Sequence, residues 1–112
     1  MSAALQLGSR SIALDNEGNL KHLDDWSEEV AALLAQQDEI ELTPEHWEIL
    51  NLVRRFHQQR GLSPVMRILV KMMEREFGPS KGNSLYLLSL FPGSPAKLAA
   101  RIAGLPRPVN CL

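Results

Sequence analysis

The only cysteine of this 112-residue chain is Cys111, the second-to-last residue of the terminal segment GLPRPVNCL. A residue so close to a chain end is expected to be exposed, and the thiolate of an exposed cysteine is a good nucleophile. Arg107 lies four residues before it. Arg67, Lys71 and Arg101 are further cations that could approach if the tail folds back, and positive charge lowers the pKa of a thiol from about 8.5. The residues alone leave two interpretations open, a reactive carrier thiol and an incidental terminal cysteine.

Two prolines, Pro106 and Pro108, come shortly before the cysteine. Each lacks a backbone N–H and restricts the residue before it to extended geometry, so no helix can continue through this segment. The sequence therefore predicts a mobile, extended C-terminal arm over residues 104–112. The two prolines would stiffen this arm and give its thiol reach into the active site of another protein.

Other chemistry is poorly supported. His46 and His57 are 11 residues apart on one predicted helix, which separates them by about 16 Å and prevents them from sharing a metal ion. His22 is remote from both, and we expect all three histidines to be partly exposed. Glu45 and Glu48 fall in the first turns of a predicted helix, where acids complement the helix dipole, rather than forming an acid–base pair. We therefore predict neither a metal site nor a cofactor.

Composition is typical of a globular protein, with 45% hydrophobic and 22% charged residues. The length suits one domain spanning residues 1–112. A single cysteine favours a reducing compartment, so a cytoplasmic location is expected. The start of the chain does not resemble a signal peptide, and the most apolar stretch, VMRILVKMM, is too short to span a membrane.

Charge is distributed unevenly along the chain. Residues 1–53 contain two basic and eleven acidic residues, whereas residues 54–112 contain ten basic and two acidic residues. Such asymmetry indicates either that the basic half faces RNA or an acidic partner, or that the two halves fold together and cancel. The segment REFGPSKGNS resembles the turn of a helix-turn-helix motif. The helix after it, NSLYLLSLF, is too apolar to read DNA bases, so direct DNA binding is not expected.

Turn and cap residues predict a mainly α fold, a small helical bundle with an N-terminal β-hairpin. The turn sequence DNEG predicts a hairpin over about residues 10–22. Asp25 and Glu28 suggest a capping box that begins a bundle extending over about residues 25–103. Three Ser/Thr-Pro pairs and the glycines that follow predict helices, which span about residues 44–60, 64–77 and 95–103. A shorter helix is predicted near residues 82–90, and the apolar segment 65–73 is predicted to be central.

Four segments of the chain resemble the TusE/DsrC family of sulfur-relay proteins in order, spacing and terminus. They are LTPEHWEIL (42–50), SPVMRILVK (63–71), FGPSKGNSLYLLSLFPGSPAK (77–97) and RIAGLPRPVNCL (101–112). The resemblance covers nearly the whole chain. It implies a helical bundle with an N-terminal hairpin and a mobile C-terminal arm.

The resemblance also implies a function, transfer of sulfane sulfur as a persulfide on Cys111. A TusE-like protein would take sulfur from a TusBCD-like complex and pass it to a MnmA-like tRNA thiouridylase, with or without bound tRNA, for 2-thiolation of the wobble uridine. Arg67 and Lys71 would hold the retracted arm and stabilise the thiolate or persulfide anion, or would simply be solvated. The sequence departs from relatives at Leu85 and Ser89, where basic residues are common.

Three alternatives stay open. In DsrC proteins a second cysteine lies ten residues before the terminal one, but this chain has Arg101 there. This difference disfavours a DsrC-like role as a partner of dissimilatory sulfite reductase. A second alternative is a non-catalytic interaction module with a docking tail, in which Cys111 is incidental. A third is a redox regulator in which Cys111 forms an intermolecular disulfide.

Overall fold

The computed structural model describes residues 3–108, and their fold is mainly helical. A two-stranded antiparallel hairpin precedes five α-helices, as predicted. The elements are β1 (Ala3–Leu7), β2 (Arg10–Leu14), a 3-10 turn (Leu23–Asp25), α1 (Glu28–Gln37), α2 (Pro44–Arg60), α3 (Met66–Phe77), α4 (Ser84–Leu90) and α5 (Pro95–Ile102). No helix within residues 3–108 is long and apolar enough to cross a membrane.

The hairpin lies earlier in the chain than predicted. β1 pairs with β2 across a tight turn at Gly8, where φ is 61°. The predicted DNEG turn is present, but it returns the chain only to an isolated bridge between Leu14 and Leu20. The prediction of a hairpin over about 10–22 was therefore wrong about which strands pair. The sequence of β1, AALQL, lacks β-branched residues and gives no strand signal of its own; its Leu5 is buried and the strand packs on α1.

α2 begins and ends where the sequence predicts. The Thr43 hydroxyl accepts a hydrogen bond from the backbone N–H of His46, and the backbone N–H of Thr43 donates to Nδ1 of the His46 ring. This reciprocal pair is a capping box, with Pro44 as the first helical residue. Gly61 ends the helix in the left-handed conformation, with φ 74°. All of these signals are local, which explains why they could be read from sequence.

α5 begins at Pro95 as predicted, whereas the starts of α1, α3 and α4 differ from the prediction. Ser27 caps α1 by accepting from the N–H of Val30, in place of the predicted Asp25–Glu28 capping box. α3 begins at Met66, and Ser63 does not cap it. α4 is capped by Asn83, whose side chain accepts from the N–H of Tyr86.

The central helix of the bundle is α5. It packs against each of the other four helices. Three of its five buried residues are alanines, and the five are Pro95, Ala96, Ala99, Ala100 and Ile102. Alanines allow neighbouring helices to approach closely, which suits a helix surrounded by others. The prediction that segment 65–73 is central was wrong, because α3 buries only Leu69 and Met73 and exposes its charged face.

Candidate functional site

The segment that leads to Cys111 starts at the C-terminus of α5. Gly104 adopts a left-handed conformation, with φ 75°. The N–H of Leu105 donates to the carbonyl of Ala100 at 2.9 Å, and the N–H of Gly104 donates to that of Arg101 at 3.0 Å. These two hydrogen bonds form a Schellman motif, which ends the helix and turns the chain away from its axis.

Two side chains satisfy the last carbonyls of α5. The indole N–H of Trp26 donates to the carbonyl of Ile102 at 2.9 Å, and Arg54 donates to that of Ala103 at 2.6 Å. The Arg54 guanidinium also stacks on the Trp26 ring, 3.8 Å from its centroid. Burial lowers the pKa of Arg54 from its usual value, but arginine remains a cation in proteins. A cation here is favourable because a helix C-terminus carries partial negative charge.

Residues 104–108, which we term the tail root, lie against the body of the protein. Leu105 and Pro108 are buried. The buried Ser63 hydroxyl donates to the carbonyl of Pro106 at 2.6 Å. The prediction of a free arm over residues 104–112 is therefore corrected for residues 104–108, which pack against the body of the protein. Cys111 and the rest of 109–112 lie outside the described residues, so the mobility of that part stays a prediction.

Arg107 forms an ion pair across the tail root. Its guanidinium lies 3.1 Å from a carboxylate oxygen of Glu17, in the turn that follows β2. Both side chains are about half exposed, so the pair contributes at most about 1 kcal/mol to stability. Its consequence for the site is that the tail root lies against the turn that follows β2.

Two open pockets lie on either side of this ion pair. The larger, of about 460 Å³, includes Ser94, Lys97 and Arg101 in its lining. The smaller, of about 350 Å³, includes Asp15 and Lys21. Each pocket therefore contains at least one cation besides that of the ion pair.

Arg101 is part of the framework of the protein. Its guanidinium contacts the Asp38 carboxylate, donates to the Gln37 side chain at 2.8 Å and donates to the carbonyl of Gly18 at 3.2 Å. It thereby joins α5 to the end of α1 and to the turn after β2. Asp38 offsets its charge, so Arg101 is less suited to stabilising a thiolate than the sequence suggested.

Arg67 and Lys71 lie on α3 and are exposed. They are one turn apart, so they share a face of the helix as expected. Within residues 3–108 no hydrogen bond or salt bridge links either of them to the tail root, and their role in stabilising the Cys111 anion stays a prediction. The connection between α3 and the tail is made by Ser63, three residues before the helix.

One of the three histidines differs from the prediction that all are partly exposed. His46 is buried, and its Nε2 lies 2.9 Å from the carbonyl of Leu90, which joins α2 to α4. His57 is partly buried and His22 is exposed. Among residues 3–108 no group of three or more His, Cys, Asp or Glu side chains is arranged to hold a metal ion.

Sequence reasoning missed the residues that hold the tail root. Trp26, Arg54, Ser63 and Glu17 act on partners that are 43 to 90 positions away along the chain. No local pattern marks such pairs. The one available signal was Gly104, whose position after a helix indicates a left-handed residue but not the tryptophan that packs on it.

Comparison with known proteins gives one consistent family. The family model described as "DsrC like protein" matches residues 6–112. Sulfurtransferase TusE of Yersinia pestis is 50% identical over 108 residues, which cover 96% of this chain and 99% of that protein.

Solved structures agree with this result. The NMR structure of DsrC from Allochromatium vinosum matches with a TM-score of 0.90 and 44% identity, over 100% of both chains. The oxidized γ-subunit of dissimilatory sulfite reductase (DsrC) from Archaeoglobus fulgidus matches with a TM-score of 0.87 and 40% identity. It covers 98% of this chain and 100% of the other.

Proposed function

This chain belongs to the DsrC-like family, and on that basis we propose that it is a sulfurtransferase that carries sulfane sulfur as a persulfide on Cys111. The observation that carries the proposal is the full-length similarity to sulfurtransferase TusE together with a single cysteine at the matching C-terminus. The tail root is compatible with it, because the described part of the tail is held against the body of the protein by the Ser63–Pro106 hydrogen bond and the Arg107–Glu17 ion pair.

Thiol–disulfide exchange chemistry defines the two steps. The Cys111 thiolate attacks the outer sulfur of a donor persulfide, the donor S–S bond breaks, and the donor cysteine leaves as a thiolate. Cys111 now carries the extra sulfur atom. In the second step a thiolate of the acceptor attacks that outer sulfur, and the Cys111 thiolate is released. The sulfur changes carrier without net oxidation or reduction, so no organic cofactor or metal is needed.

The proposed donor is a TusBCD-like complex and the proposed acceptor is a MnmA-like tRNA thiouridylase, with or without its tRNA. These partners belong to the TusE-like role and to a cytoplasmic location, which is also part of the proposal. The exposed cations of the C-terminal half would favour an acidic partner surface or bound tRNA through electrostatic steering.

A DsrC-like role in dissimilatory sulfur metabolism is the second candidate, because the two solved structures above are DsrC proteins. The environment of Arg101 argues against it. In this chain position 101 holds an arginine bound to α1 and to the turn after β2, and Cys111 is the only thiol. An intramolecular disulfide is therefore impossible. Binding to dissimilatory sulfite reductase, without tRNA thiolation, would favour the second candidate.

Reconstitution tests the proposed function. A cysteine desulfurase, cysteine, the TusBCD-like complex, this protein, the MnmA-like enzyme and tRNA are combined, and 2-thiouridine is measured in the digested tRNA. We expect Cys111→Ser to reduce thiolation to the level without the carrier. Thiolation supported equally by the serine variant would contradict the proposal and favour a docking tail.

The predicted role of Arg67 and Lys71 has its own test. Replacing both with alanine is expected to raise the pKa of the Cys111 thiol by about 0.5 unit, measured from alkylation rate against pH. Arg60→Ala with Arg75→Ala is the control, because it also removes two exposed cations, one from the end of α2 and one from α3. Equal effects of the two double variants would show that only net charge matters.

A further inference from the structure

A groove with an apolar floor lies between the end of α1 and the start of α2. Its volume is about 550 Å³, and its floor is formed by Ile40, Leu42 and Trp47, which are each partly exposed. Apolar side chains that line an open groove are in contact with water. Covering them with a partner is favourable, because it removes apolar surface from water. The mechanism proposed for Cys111 makes no use of this surface.

The rim of the groove is acidic. Glu39 and Glu41 are exposed on it, and Gln36 adds a polar amide. Within residues 3–108 no salt bridge involves either glutamate, whereas the nearby Asp38 is paired with Arg101. The two free carboxylates therefore leave the rim with a negative potential that would attract basic side chains.

The groove is close to the tail root. The ring of Trp47 meets that of Trp26 edge to face, with centroids 6.4 Å apart. Trp26 in turn donates to the carbonyl of Ile102 and packs beside Gly104. One side chain, that of Trp26, thus connects the groove to the start of the tail root.

We propose that this groove docks a lysine- or arginine-rich segment of a protein partner, which places an apolar side chain against Trp47 and its basic groups beside Glu39 and Glu41. The pattern of an apolar centre with a charged rim is that of a transient protein interface. The biological meaning of this docking rests on the proposed function. Binding at the groove can nevertheless be measured without sulfur transfer, so the two proposals can fail separately.

The test uses the full-length protein, labelled with ¹⁵N, and a synthetic amphipathic peptide built only of leucine and lysine. NMR shift changes are expected at the Trp47 indole and at the amides of residues 36–42, and a version of the peptide with glutamate for lysine should cause none. Glu39→Gln with Glu41→Gln should weaken binding of the basic peptide about tenfold.

Asp24→Asn with Glu74→Gln is the matched control. It removes the same charge from two exposed acids that do not line the groove, and it should leave the affinity unchanged. Equal weakening by both double variants, or shift changes centred outside the groove, would overturn the proposal. Concentration-dependent shifts at Trp47 without peptide, with a dimer in sedimentation, would also overturn it by identifying the occupant as a second copy of the chain.

Discussion

Two glycines of this protein share a backbone conformation but not an environment. Gly61 and Gly104 end helices with φ of 74° and 75°. A Cβ on Gly61 would meet nothing within 4 Å, whereas one on Gly104 would lie 2.7 Å from Cγ and 2.9 Å from Cβ of Trp26. Substituting the two glycines separately therefore distinguishes two losses of stability. One comes from the left-handed backbone conformation, and the other from displacing the tryptophan that supports the tail root.

Alanine substitutions measure both costs. Gly61→Ala is expected to lower the free energy of unfolding by about 1 kcal/mol, since only the backbone conformation is unfavourable for alanine. Gly104→Ala should lower it by about 3 kcal/mol, because Trp26 must also be displaced. Urea denaturation of both variants provides the values. Equal losses would mean that Trp26 moves freely and does not fix the tail root.

The lowered pKa of Asp15 is expected to make the free energy of unfolding depend on pH. Burial tends to raise its pKa, but hydrogen bonds from the backbone of Asn19, Glu17 and Gly18 outweigh this effect and lower the pKa below the ordinary 3.8. A pKa lowered by folding adds stability that is present above the unfolded value and disappears as the pH falls through the folded value. The stability difference between the parent and Asp15→Asn should therefore shrink from about pH 5 to about pH 2. A difference that stays constant over this range would contradict the assignment.

At the level of the helices, α1 is followed by a residue whose type is unfavourable for its backbone conformation. The N–H of Ile40 donates to the carbonyl of Ala35, and that of Glu39 donates to the carbonyl of Gln36, each at 3.0 Å. Glu39 thus occupies the left-handed position of a Schellman motif, with φ 57°, where glycine is usual. It is the only non-glycine residue with positive φ in residues 3–108.

Replacing this residue should stabilise the protein. Glu39→Gly is expected to raise the free energy of unfolding by about 0.5–1 kcal/mol, because it relieves the left-handed strain. Glu41→Gly is the control and should be neutral or destabilising, since residue 41 has no positive φ to relieve. Thermal denaturation compares them. A destabilised Glu39→Gly variant would show that the carboxylate, rather than the backbone, determines stability at this position.

How far the sequence predicts the elements depends on the range of the interactions. Thr43, Pro44 and Gly61 act within a few residues, and α2 was predicted at both ends. Ser63 carries the same kind of signal but bonds the carbonyl of Pro106 instead of a helix N-terminus. β1 owes its strand to pairing and to packing on α1, neither of which its own residues indicate.

At the scale of the molecule, folding partly cancels the uneven charge of the chain. Within residues 3–108, three of the five ion pairs join an acid of the N-terminal half to a base of the C-terminal half. They are Glu17–Arg107, Asp38–Arg101 and Glu48–Lys81. The interpretation that the two halves cancel therefore holds in part. Arg67 and Lys71 are exposed and belong to no salt bridge within residues 3–108, and a partner for such cations stays a prediction.

The candidate site also contains one residue that could be identified from the sequence and several that could not. Cys111 could be identified as a candidate from its type and terminal position, which left a carrier thiol and an incidental cysteine open, and the family resemblance favoured the carrier. The supports of the tail root could not, since Glu17 and Arg107 are 90 positions apart, and Trp26 and Ile102 are 76 apart. Only the assembled bundle brings these residues together.

The proposed storage of transferred sulfur on Cys111 can be measured from the intact mass of the protein after incubation with a cysteine desulfurase, cysteine and the TusBCD-like complex. A gain of about one sulfur atom is expected from persulfide exchange, reversed by reductant and absent from Cys111→Ser. An unchanged mass, with the donor proteins shown to be loaded with sulfur, would contradict the claim.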